Sequence, residues 1–540
     1  MHISGIRQLI LKAQLRIGSS LLTFLAKMKV KEKKDWFKIK RYPHIGLPLD
    51  SRDRFRWIQP YVTNPEKIAV HSFLPFIHKT SKVKRFRKVY SSSDGLVDGK
   101  YKSGTKLLRK SSEKKRELFY ASHLDALIYS YYAMLLSDLY EDKIEENNLS
   151  EVVNAYRSVP VNPSKKDGPN KCNIDFANDV FKHILDYKAD EFTVIAFDIS
   201  SFFDNLDHKL LREVWADIIG EPKLPKDHFN VYKNITRFSH VDIVDIFEVF
   251  KNRIYTRKTN KLGEPLEIKQ KKIDKIKYLR NQNAIAFCKE HEFFELKGKL
   301  LQPSKTRIVN GQEVYRNFGI PQGSPISSVL ANMYLLYFDT LIHNFISEKG
   351  GIYRRYSDDM VVVCPISCKY ELTQLVYQEI KNYKLEIQET KTQIFHFKRK
   401  DQKMVCGQEF EGAINWNKNF IYLGFEFDGQ HVLLKSASIS GYYRKMKRSV
   451  RRAKHYSHRW YAPNRGVIFK RRLLNKFSYK GAKRTRKFIW NEKENKFIKT
   501  DSYNWGNFLS YAYKASNVMV NNKIKQQTKR HWNILNKLLK

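Results

Sequence analysis

The chain has 540 residues, of which 42% are hydrophobic and 14% aromatic, and its formal net charge is +45. This apolar content excludes a disordered tail, because the chain can bury several hydrophobic cores. The large positive charge indicates a polyanionic partner, and nucleic acid is the first choice.

The cysteines and the apolar runs exclude two further classes of protein. The five cysteines form no C-x-x-C pair, so we expect neither a zinc site nor a disulfide framework, and a reducing intracellular compartment fits best. No apolar run approaches the roughly twenty residues that a membrane span requires, so we expect no membrane partner.

Residues 1–28 have the pattern of an amphipathic helix, with Ile3, Ile6 and Ile10 on one stripe and no acidic residue before Glu32. We expect this helix to pack on the body of the protein or on another subunit, and an organellar presequence is the alternative. Residues 1–95 are predicted to be an N-terminal extension. Its basic end at 82–93 would contact RNA or a partner.

The next region, 96–190, is predicted to hold an apolar helix at Leu124–Leu139. A basic strand pattern precedes this helix around Arg116, and Tyr156-Arg157 follows it. The apolar run Phe192–Ala196 then leads to Asp198 and predicts a buried strand that ends in a carboxylate. A long segment follows, lysine-rich at 251–275, and we expect an inserted helical or RNA-binding segment at about 240–315.

Three more patterns follow along the chain. Gly319–Pro325 is a Gly/Pro-rich loop, and it runs into a helix that we expect to be capped near Ser327. The sequence Tyr356-Ser357-Asp358-Asp359 before a valine run predicts a strand, a tight turn and a second strand. Adjacent carboxylates repel each other, so a divalent cation is their natural partner, and a solvated turn is the alternative. Beyond them lie Lys391-Thr392 and a strand predicted at Tyr422–Phe425.

The last hundred residues carry more than half of the charge excess, with 28 Lys or Arg against 3 Asp or Glu. Aromatic residues are interleaved with the basic ones. Tyr443, Met446, Val450 and Ala453 recur at helical spacing, so one face would pack while the arginines lie on another. Such a helix would grip a duplex by its phosphates, and salt would weaken this contact steeply.

The motifs F-D-x-x-x-F-F, P-Q-G-S-P, Y-x-D-D, Lys-Thr and φ-L-G-F, in this order, resemble motifs A to E of reverse transcriptases. The resemblance covers roughly residues 110–540. It implies an α+β right-hand polymerase with fingers at 96–190, a palm of antiparallel sheet and helices at 191–435, and a helical basic thumb at 436–540. Ser357 departs from the alanine that is commoner in bacterial relatives, and its hydroxyl fits the same space.

The resemblance implies the activity of an RNA-directed DNA polymerase that uses two Mg²⁺ ions, with Mn²⁺ as a substitute. Asp198 and Asp358 would bind both ions, Asp359 would be a more peripheral carboxylate, and the carbonyl of Ile199 a further ligand. Lys391 would donate a proton to pyrophosphate or pair with its charge, and a solvated lysine is the alternative.

The same resemblance implies the contacts of the nucleotide and the primer. Phe203 would be the steric gate against the ribose 2′ hydroxyl, and an ordinary core phenylalanine is the alternative. Gln322, Gly323 and Arg116 would contact the nucleotide. The residues expected to form the primer grip are Tyr422, Leu423, Gly424 and Phe425.

Within the family, Tyr156-Arg157, Asn173–Ala177 and the basic C-terminal region resemble the bacterial unknown-group enzymes associated with phage defence, type 3 among them. We recognise no RNase H, integrase or HNH segment. We therefore expect a cytoplasmic bacterial enzyme that copies a dedicated noncoding RNA in antiphage defence. Its partners would be that RNA, dNTPs and a DNA primer or product, with a second reverse transcriptase subunit or a homo-oligomer left open.

Three other functions stay open on the sequence alone. Template-independent or protein-primed DNA synthesis would use the same palm. An RNA-binding factor of the maturase kind would keep its function without the aspartates. A structural subunit is the third, and the complete carboxylate set argues against it.

Overall fold

The computed structural model describes residues 35–88, 96–97, 100–101, 109–164, 168–259, 265–302, 306–309, 312–401, 403–459, 465–483, 486–491, 496–503 and 506–540. The amphipathic helix predicted at 1–28 lies outside these residues. The fold is α+β, as predicted, with the lobes of a right-hand polymerase. Among the described helices, none has both the length and the apolarity needed to cross a bilayer.

The palm is built on a six-stranded antiparallel sheet. Its central strand, Glu191–Asp198, lies between Asp359–Cys364 on one side and Gln393–Lys400 on the other. The full order of strands across the sheet is Ile352–Tyr356, Asp359–Cys364, Glu191–Asp198, Gln393–Lys400, Lys403–Phe410 and Ala413–Asn415.

Both faces of this sheet are covered, which explains why the central strand is apolar on both sides apart from Thr193. Ile195 and Phe197 face a core built with the helices, whereas Phe192 and Val194 face a second core on the opposite side. The helices of the palm and its approaches are His123–Glu146, Asn173–Asp186, His208–Ile219, Lys226–Thr236, Ser327–Tyr334, Leu336–Glu348 and Lys369–Asn382.

The fingers contain a long hairpin, Phe76–Lys88 with Arg109–Tyr120, paired from Ile77↔Tyr120 to Lys88↔Arg109. The predicted boundary at 95/96 falls inside this hairpin, so residues 76–88 belong to the fingers sheet and not to a separate extension. The mismatch arises because lysine and serine hide the strand pattern in the sequence. The apolar helix predicted at Leu124–Leu139 is present as His123–Glu146.

The segment predicted as an insertion at 240–315 is not simply helical. Its lysine-rich middle forms a hairpin, Ile254–Thr259 with Pro265–Lys271, which joins Ala284–Cys288 and His44–Ile45 in one sheet. Its other elements are strands His240–Asp242, Thr306–Val309 and Gln312–Tyr315 and helices Ile243–Phe250 and Glu290–Leu300. Short pieces elsewhere in the fingers are helices Gln59–Val62 and Pro65–Ala69 and strands Leu96–Val97 and Lys100–Tyr101.

The thumb follows a three-stranded sheet of Phe420–Tyr422, Phe425–Phe427 and Val432–Leu434. Met446 and Val450 of its first helix are buried in a small core, and Tyr443 and Ala453 pack against it, as the helical spacing predicted. Its helices are Ser436–Ser457, Lys470–Phe477, Phe508–Val518, Ile524–Thr528 and His531–Leu539. The thumb also holds an unpredicted β-hairpin, Arg486–Asn491 with Lys496–Tyr503.

Candidate active site

The three aspartates meet at one edge of the palm sheet. Asp198 ends the central strand and lies opposite Asp359, the first residue of the neighbouring strand. Ser357 and Asp358 form the turn before it, and Ser357 has φ +63°, so this turn needs a left-handed residue. The Ile199 amide donates to the Asp358 carbonyl oxygen at 3.1 Å, which holds the turn against the Asp198 strand.

The peptide of Ile199 is held from its other side as well. The Gln388 amide donates to the Asp198 carbonyl oxygen at 3.0 Å, and the Ser200 amide donates to the Glu386 carbonyl oxygen at 2.8 Å. The segment that leads to Lys391 is therefore hydrogen-bonded to the end of the central strand. This pairing brings Lys391 to the carboxylates across almost two hundred residues of sequence, with its Nζ 2.9 Å from Asp198 Oδ1.

The electrostatics of the site are those of carboxylates close to one another. The surrounding protein removes water from Asp359, and together with the negative charges of Asp358 and Asp198 it raises the pKa of Asp359 to about 6. The ammonium groups of Lys435 and Lys391 oppose this rise. A cation bound among the three carboxylates would relieve the same repulsion.

The residues present fit a hard divalent cation by their donor chemistry. Asp198, Asp358, Asp359 and the carbonyl of Ile199 offer only oxygen, which Mg²⁺ and Mn²⁺ prefer. As the side chains stand, with Lys391 on Asp198, no three His, Cys, Asp or Glu groups of the described chain form a ready cluster around one point. Ion binding would therefore require these side chains to turn toward each other and Asp198 to leave Lys391.

A buried ion pair lies directly beneath the turn at Ser357 and Asp358, which we call the catalytic turn for the role that the sequence predicts. Arg355 and Asp339 have no solvent-exposed side-chain surface, and Arg355 Nη2 lies 2.6 Å from Asp339 Oδ2. Arg355 Nε donates to both oxygens of the same carboxylate, at 2.8 and 3.0 Å. Burial alone would lower the pKa of Arg355, but the charge of Asp339 raises it above its usual value. Burial raises the pKa of Asp339, and the charge of Arg355 opposes that rise.

The remaining donor of Arg355 acts on the turn itself. Its Nη1 donates to the carbonyl oxygen of Ser357 at 3.2 Å and to Asn332 Oδ1 at 3.3 Å. The Tyr353 hydroxyl donates to Asp339 at 2.8 Å. The backbone that carries Asp358 is therefore held by a satisfied polar network, whose loss would leave buried charges without partners.

Tyr156, from the fingers, contacts the turn at Ser357. Its hydroxyl is 3.2 Å from Ser357 Oγ, and its φ of +63° is uncommon for a bulky residue. Its side chain is half exposed, whereas Ser357 is buried. The serine that replaces the usual alanine thus has a partner. The side chain of the next residue, Arg157, is buried and pairs with Glu141 at 2.7 Å.

The Gly/Pro loop joins the palm to the fingers. Phe119, near the end of the long finger strand, donates its amide to the Gln322 carbonyl oxygen at 2.9 Å. Gly323 has φ +120°, and a Cβ there would lie 2.6 Å from the Phe119 carbonyl oxygen. Only glycine allows this approach. The expected cap at Ser327 is absent, because its hydroxyl donates to the Pro321 carbonyl oxygen and so closes the loop.

Phe203 and Arg116 are placed differently from each other. The Phe203 ring is half buried against the main core, and its carbonyl oxygen accepts from the Ile320 amide at 2.8 Å, so it is tied to the Gly/Pro loop. Arg116 lies opposite Ser81 in the finger hairpin with an exposed side chain. Strand alternation puts it on the face opposite Phe119.

The predicted primer-grip strand is a hairpin turn. Tyr422 ends one strand and Phe425 begins the next, with Leu423 at φ +44° and Gly424 at φ +93° between them. Tyr422 and Phe425 are buried, so only the tip can touch a primer. The turn was missed because a short φ-L-G-F pattern fits a strand equally well. Asn173 Nδ2 donates to the Leu423 carbonyl oxygen at 3.1 Å and fixes the tip.

Sequence reasoning missed Arg355, Asp339 and Lys435. Arg355 did carry a signal, because its strand leads into the turn before the valine run, and a charge in a buried sheet is expensive unless it is paired. Asp339 and Lys435 carried none, since each sits in an ordinary helical or basic context. Their roles come from tertiary contacts.

Residues 278–427 match the model of a protein family described as "Reverse transcriptase (RNA-dependent DNA polymerase)". The chain therefore carries a reverse transcriptase domain, the domain of RNA-directed DNA polymerases. The match includes the Gly/Pro loop, the catalytic turn, Lys391 and the hairpin tip at Leu423, and it begins beyond Asp198.

Among curated proteins, no sequence matches the chain. Among solved structures, apo telomerase from Candida tropicalis is similar at 13% identity and a TM-score of 0.31, covering 68% of this chain and 54% of that one. Telomerase from Candida albicans in complex with a TWJ fragment of telomeric RNA gives 13% and 0.30, covering 73% and 52%. The chain thus spans about half the length of these telomerases, and likeness at this level establishes no shared function.

Removing the charge of Asp339 tests the buried pair. We expect Asp339→Asn to lower the free energy of unfolding by about 3–5 kcal/mol, because Arg355 would remain buried without its counter-charge. Urea denaturation measures this change. The matched control is Glu248→Gln in the exposed pair with Lys251, where we expect a change below about 1 kcal/mol. Equal effects of the two variants would contradict the structural role of the pair.

A methyl group at Gly323 tests the contact between loop and fingers. We expect Gly323→Ala to push Phe119 away and break its hydrogen bond to Gln322, so the Phe119 amide should exchange with deuterium at least about tenfold faster. Hydrogen-exchange mass spectrometry of the peptide containing Phe119 measures this rate. Gly441→Ala is the control, since no atom lies within 4 Å of a Cβ there. Unchanged exchange in Gly323→Ala would show that the contact is not needed.

Proposed function

We propose that the whole chain is an RNA-directed DNA polymerase that extends a DNA primer with dNTPs by two-metal nucleotidyl transfer. The observation that supports this most strongly is the convergence of Asp198, Asp358 and Asp359 at one edge of the palm sheet, in a chain with a reverse transcriptase domain. Three carboxylates at one edge of a sheet serve no packing purpose, and their mutual repulsion favours a cation among them.

Asp198 and Asp358 would hold two Mg²⁺ ions, or Mn²⁺ in their place, with the Ile199 carbonyl and the more peripheral Asp359 as further ligands. When bound, such ions lower the pKa of a primer 3′ hydroxyl and neutralise charge on the leaving pyrophosphate. The protein's own contribution is to hold the carboxylates in place through the strand pairing and through Arg355, so that little rearrangement of the backbone is needed.

Lys391 is suited to the leaving group. Its ammonium lies in the site, 2.9 Å from Asp198, and is half exposed. Once released by Asp198, it could donate a proton to pyrophosphate or balance its charge. Lys435 adds a second positive charge near Asp359 and, we infer, helps to retain polyphosphate in the site.

The nucleotide would be contacted by the Gly/Pro loop and by Phe203, which are joined by a backbone hydrogen bond. Phe203, fixed through Ile320, would be the gate that rejects a 2′ hydroxyl. Gln322 and Gly323 would approach the nucleotide with their backbone. Arg116 would reach the triphosphate or the template from the finger hairpin. For the primer, Leu423 and Gly424 at the hairpin tip would support the 3′ end, with Tyr422 and Phe425 as buried anchors.

The finer proposal is that a cytoplasmic bacterial enzyme copies a dedicated noncoding RNA in antiphage defence, with a second reverse transcriptase subunit or another copy of itself as a protein partner. It rests on the sequence resemblance to unknown-group enzymes. Two alternatives remain: template-independent or protein-primed synthesis, and a maturase-like RNA-binding factor. Sequencing the RNA that copurifies with the chain and the DNA it makes separates all three. Complementary DNA supports templating, random DNA supports the first alternative, and RNA without DNA supports the second.

The activity itself depends on the carboxylates. On an RNA template with an annealed DNA primer, we expect Asp358→Asn/Asp359→Asn to reduce dNTP incorporation at least about a hundredfold, because neutral amides cannot hold the ions. Single-turnover primer extension measures the rate. Asp401→Asn, at an exposed turn of the same sheet, is the control and should extend the primer normally. Extension by the double variant at the normal rate would refute the proposed site.

The gate is tested by sugar selection. We expect Phe203→Val to increase the ratio of ribonucleotide to deoxyribonucleotide incorporation at least about tenfold, because a smaller side chain leaves room for the 2′ hydroxyl. Competition between rNTPs and dNTPs on one template measures the ratio. Phe202→Leu, a change in the neighbouring buried ring, should lower stability without changing the ratio. If Phe203→Val keeps the original preference, Phe203 is a core residue only.

A further inference from the structure

The thumb hairpin, Arg486–Asn491 with Lys496–Tyr503, has no part in the proposed active site. Its first strand begins shortly after a small thumb-core residue, Ala482, and its second leads toward helix Phe508–Val518. The pairing includes Phe488↔Lys499 and Trp490↔Phe497. The hairpin interrupts a region that the sequence predicts to be helical, so it adds a surface that a helical thumb would lack.

The foot of this hairpin is firmly attached. Ser510 Oγ donates to the Ala482 carbonyl oxygen at 2.6 Å, and Asn507 Nδ2 donates to the Ser478 carbonyl oxygen at 2.7 Å. Asn507 also donates to the Asn475 carbonyl oxygen at 3.0 Å. The chain segments on either side of the hairpin are thus tied to each other and to the thumb core.

One face of the hairpin combines aromatic and basic residues. Phe488 and Lys499 are directly paired and so share a face, and Phe497 lies two residues from Lys499 on the same side. Phe488 is 58% exposed and Phe497 52% exposed. They are diagonal neighbours, a relation that places residues about 7–8 Å apart. Lys499 is exposed on this face, and Arg486 is exposed where the first strand begins.

The same combination continues at the foot. An open depression next to Asn475 is lined by Phe469, Arg471, Arg472 and Lys476. Phe469 is more exposed than either hairpin ring, at 72%. Exposed rings with flanking cations therefore run from the depression to the hairpin. The last hundred residues hold 28 basic against 3 acidic residues, and the three acidic ones lie at 486–503, where five Lys or Arg accompany them.

We propose that this aromatic face binds single-stranded RNA, whose bases stack on Phe488 and Phe497 while Lys499 and Arg486 contact phosphates. Rings that alternate with cations suit unpaired bases, because each base offers a π-face and its phosphate a charge. A duplex hides its base faces within its own stack and so cannot use the rings. The choice of RNA over DNA rests on the proposed function, in which the chain works on RNA. The face would hold an unpaired segment of that RNA away from the catalytic turn.

The test is the affinity of the full chain for a labelled single-stranded RNA of about 20 nucleotides, followed by fluorescence anisotropy. No dNTP or divalent ion is added, so the result does not depend on polymerisation. We expect Phe488→Ala/Phe497→Ala to bind about tenfold more weakly than the wild type. The ratio of the two dissociation constants should be at least as large at about 0.5 M salt as at about 0.1 M, because salt screens phosphate contacts but not stacking. Phe488→Tyr/Phe497→Tyr should restore binding. Val467→Ala, which removes an exposed apolar side chain elsewhere in the thumb, should bind normally.

Three results would overturn the proposal. In the first, the Ala double variant and the wild type bind the single strand with equal affinity. In the second, the double substitution reduces the affinity for an RNA duplex of the same length by as much as it reduces the affinity for the single strand. The third is a larger loss on single-stranded DNA than on RNA, which would assign the face to the DNA strand. A different result would separate the two proposals. If the wild type makes no DNA but binds RNA, and the Ala double variant loses that binding, the polymerase is rejected and the RNA site is kept.

Discussion

The buried ion pair between Arg355 and Asp339 is the interaction on which the active site depends. Arg355 belongs to the strand that leads into the catalytic turn, and its guanidinium holds both Asp339 and the carbonyl oxygen of Ser357. A fully buried pair gives little net stability, because desolvation offsets the attraction, but it tolerates no loss of one partner. The pair therefore works as a geometric constraint. The turn that carries Asp358 and Asp359 has one position in which the charges of Arg355 and Asp339 are both paired.

This constraint has value because the carboxylates oppose one another. Burial and the negative charges of Asp358 and Asp198 raise the pKa of Asp359, although Lys435 and Lys391 oppose this rise and Lys391 lies on Asp198. The Ile199 amide donates to the Asp358 carbonyl oxygen, and Arg355 donates to the Ser357 carbonyl oxygen, so the turn is held from two sides. The surrounding fold thus keeps like charges together until cations arrive.

Much of the palm could be predicted from sequence, since each of its parts has a local pattern. The strand before Asp198, the turn at Ser357 and the glycine at 323 are visible from apolar runs, turn residues and the need for close backbone approach. The buried pair, the placement of Tyr156 and the clustering with Lys391 and Lys435 could not be predicted, because they join residues far apart in the chain. The finger strand at 76–88 and the hairpin at 486–503 were missed for a different reason. Their many lysines and arginines, which suit a surface that faces nucleic acid, hide the alternation typical of strands.

The constrained turn should present a site for divalent cations, and diffraction from crystals soaked in Mn²⁺ and a dNTP tests this central claim most directly. We predict anomalous peaks beside Asp198 and Asp358, Lys391 displaced from Asp198, and the pair of Arg355 and Asp339 unchanged. Mn²⁺ bound only elsewhere, with Lys391 still on Asp198, would contradict the claim.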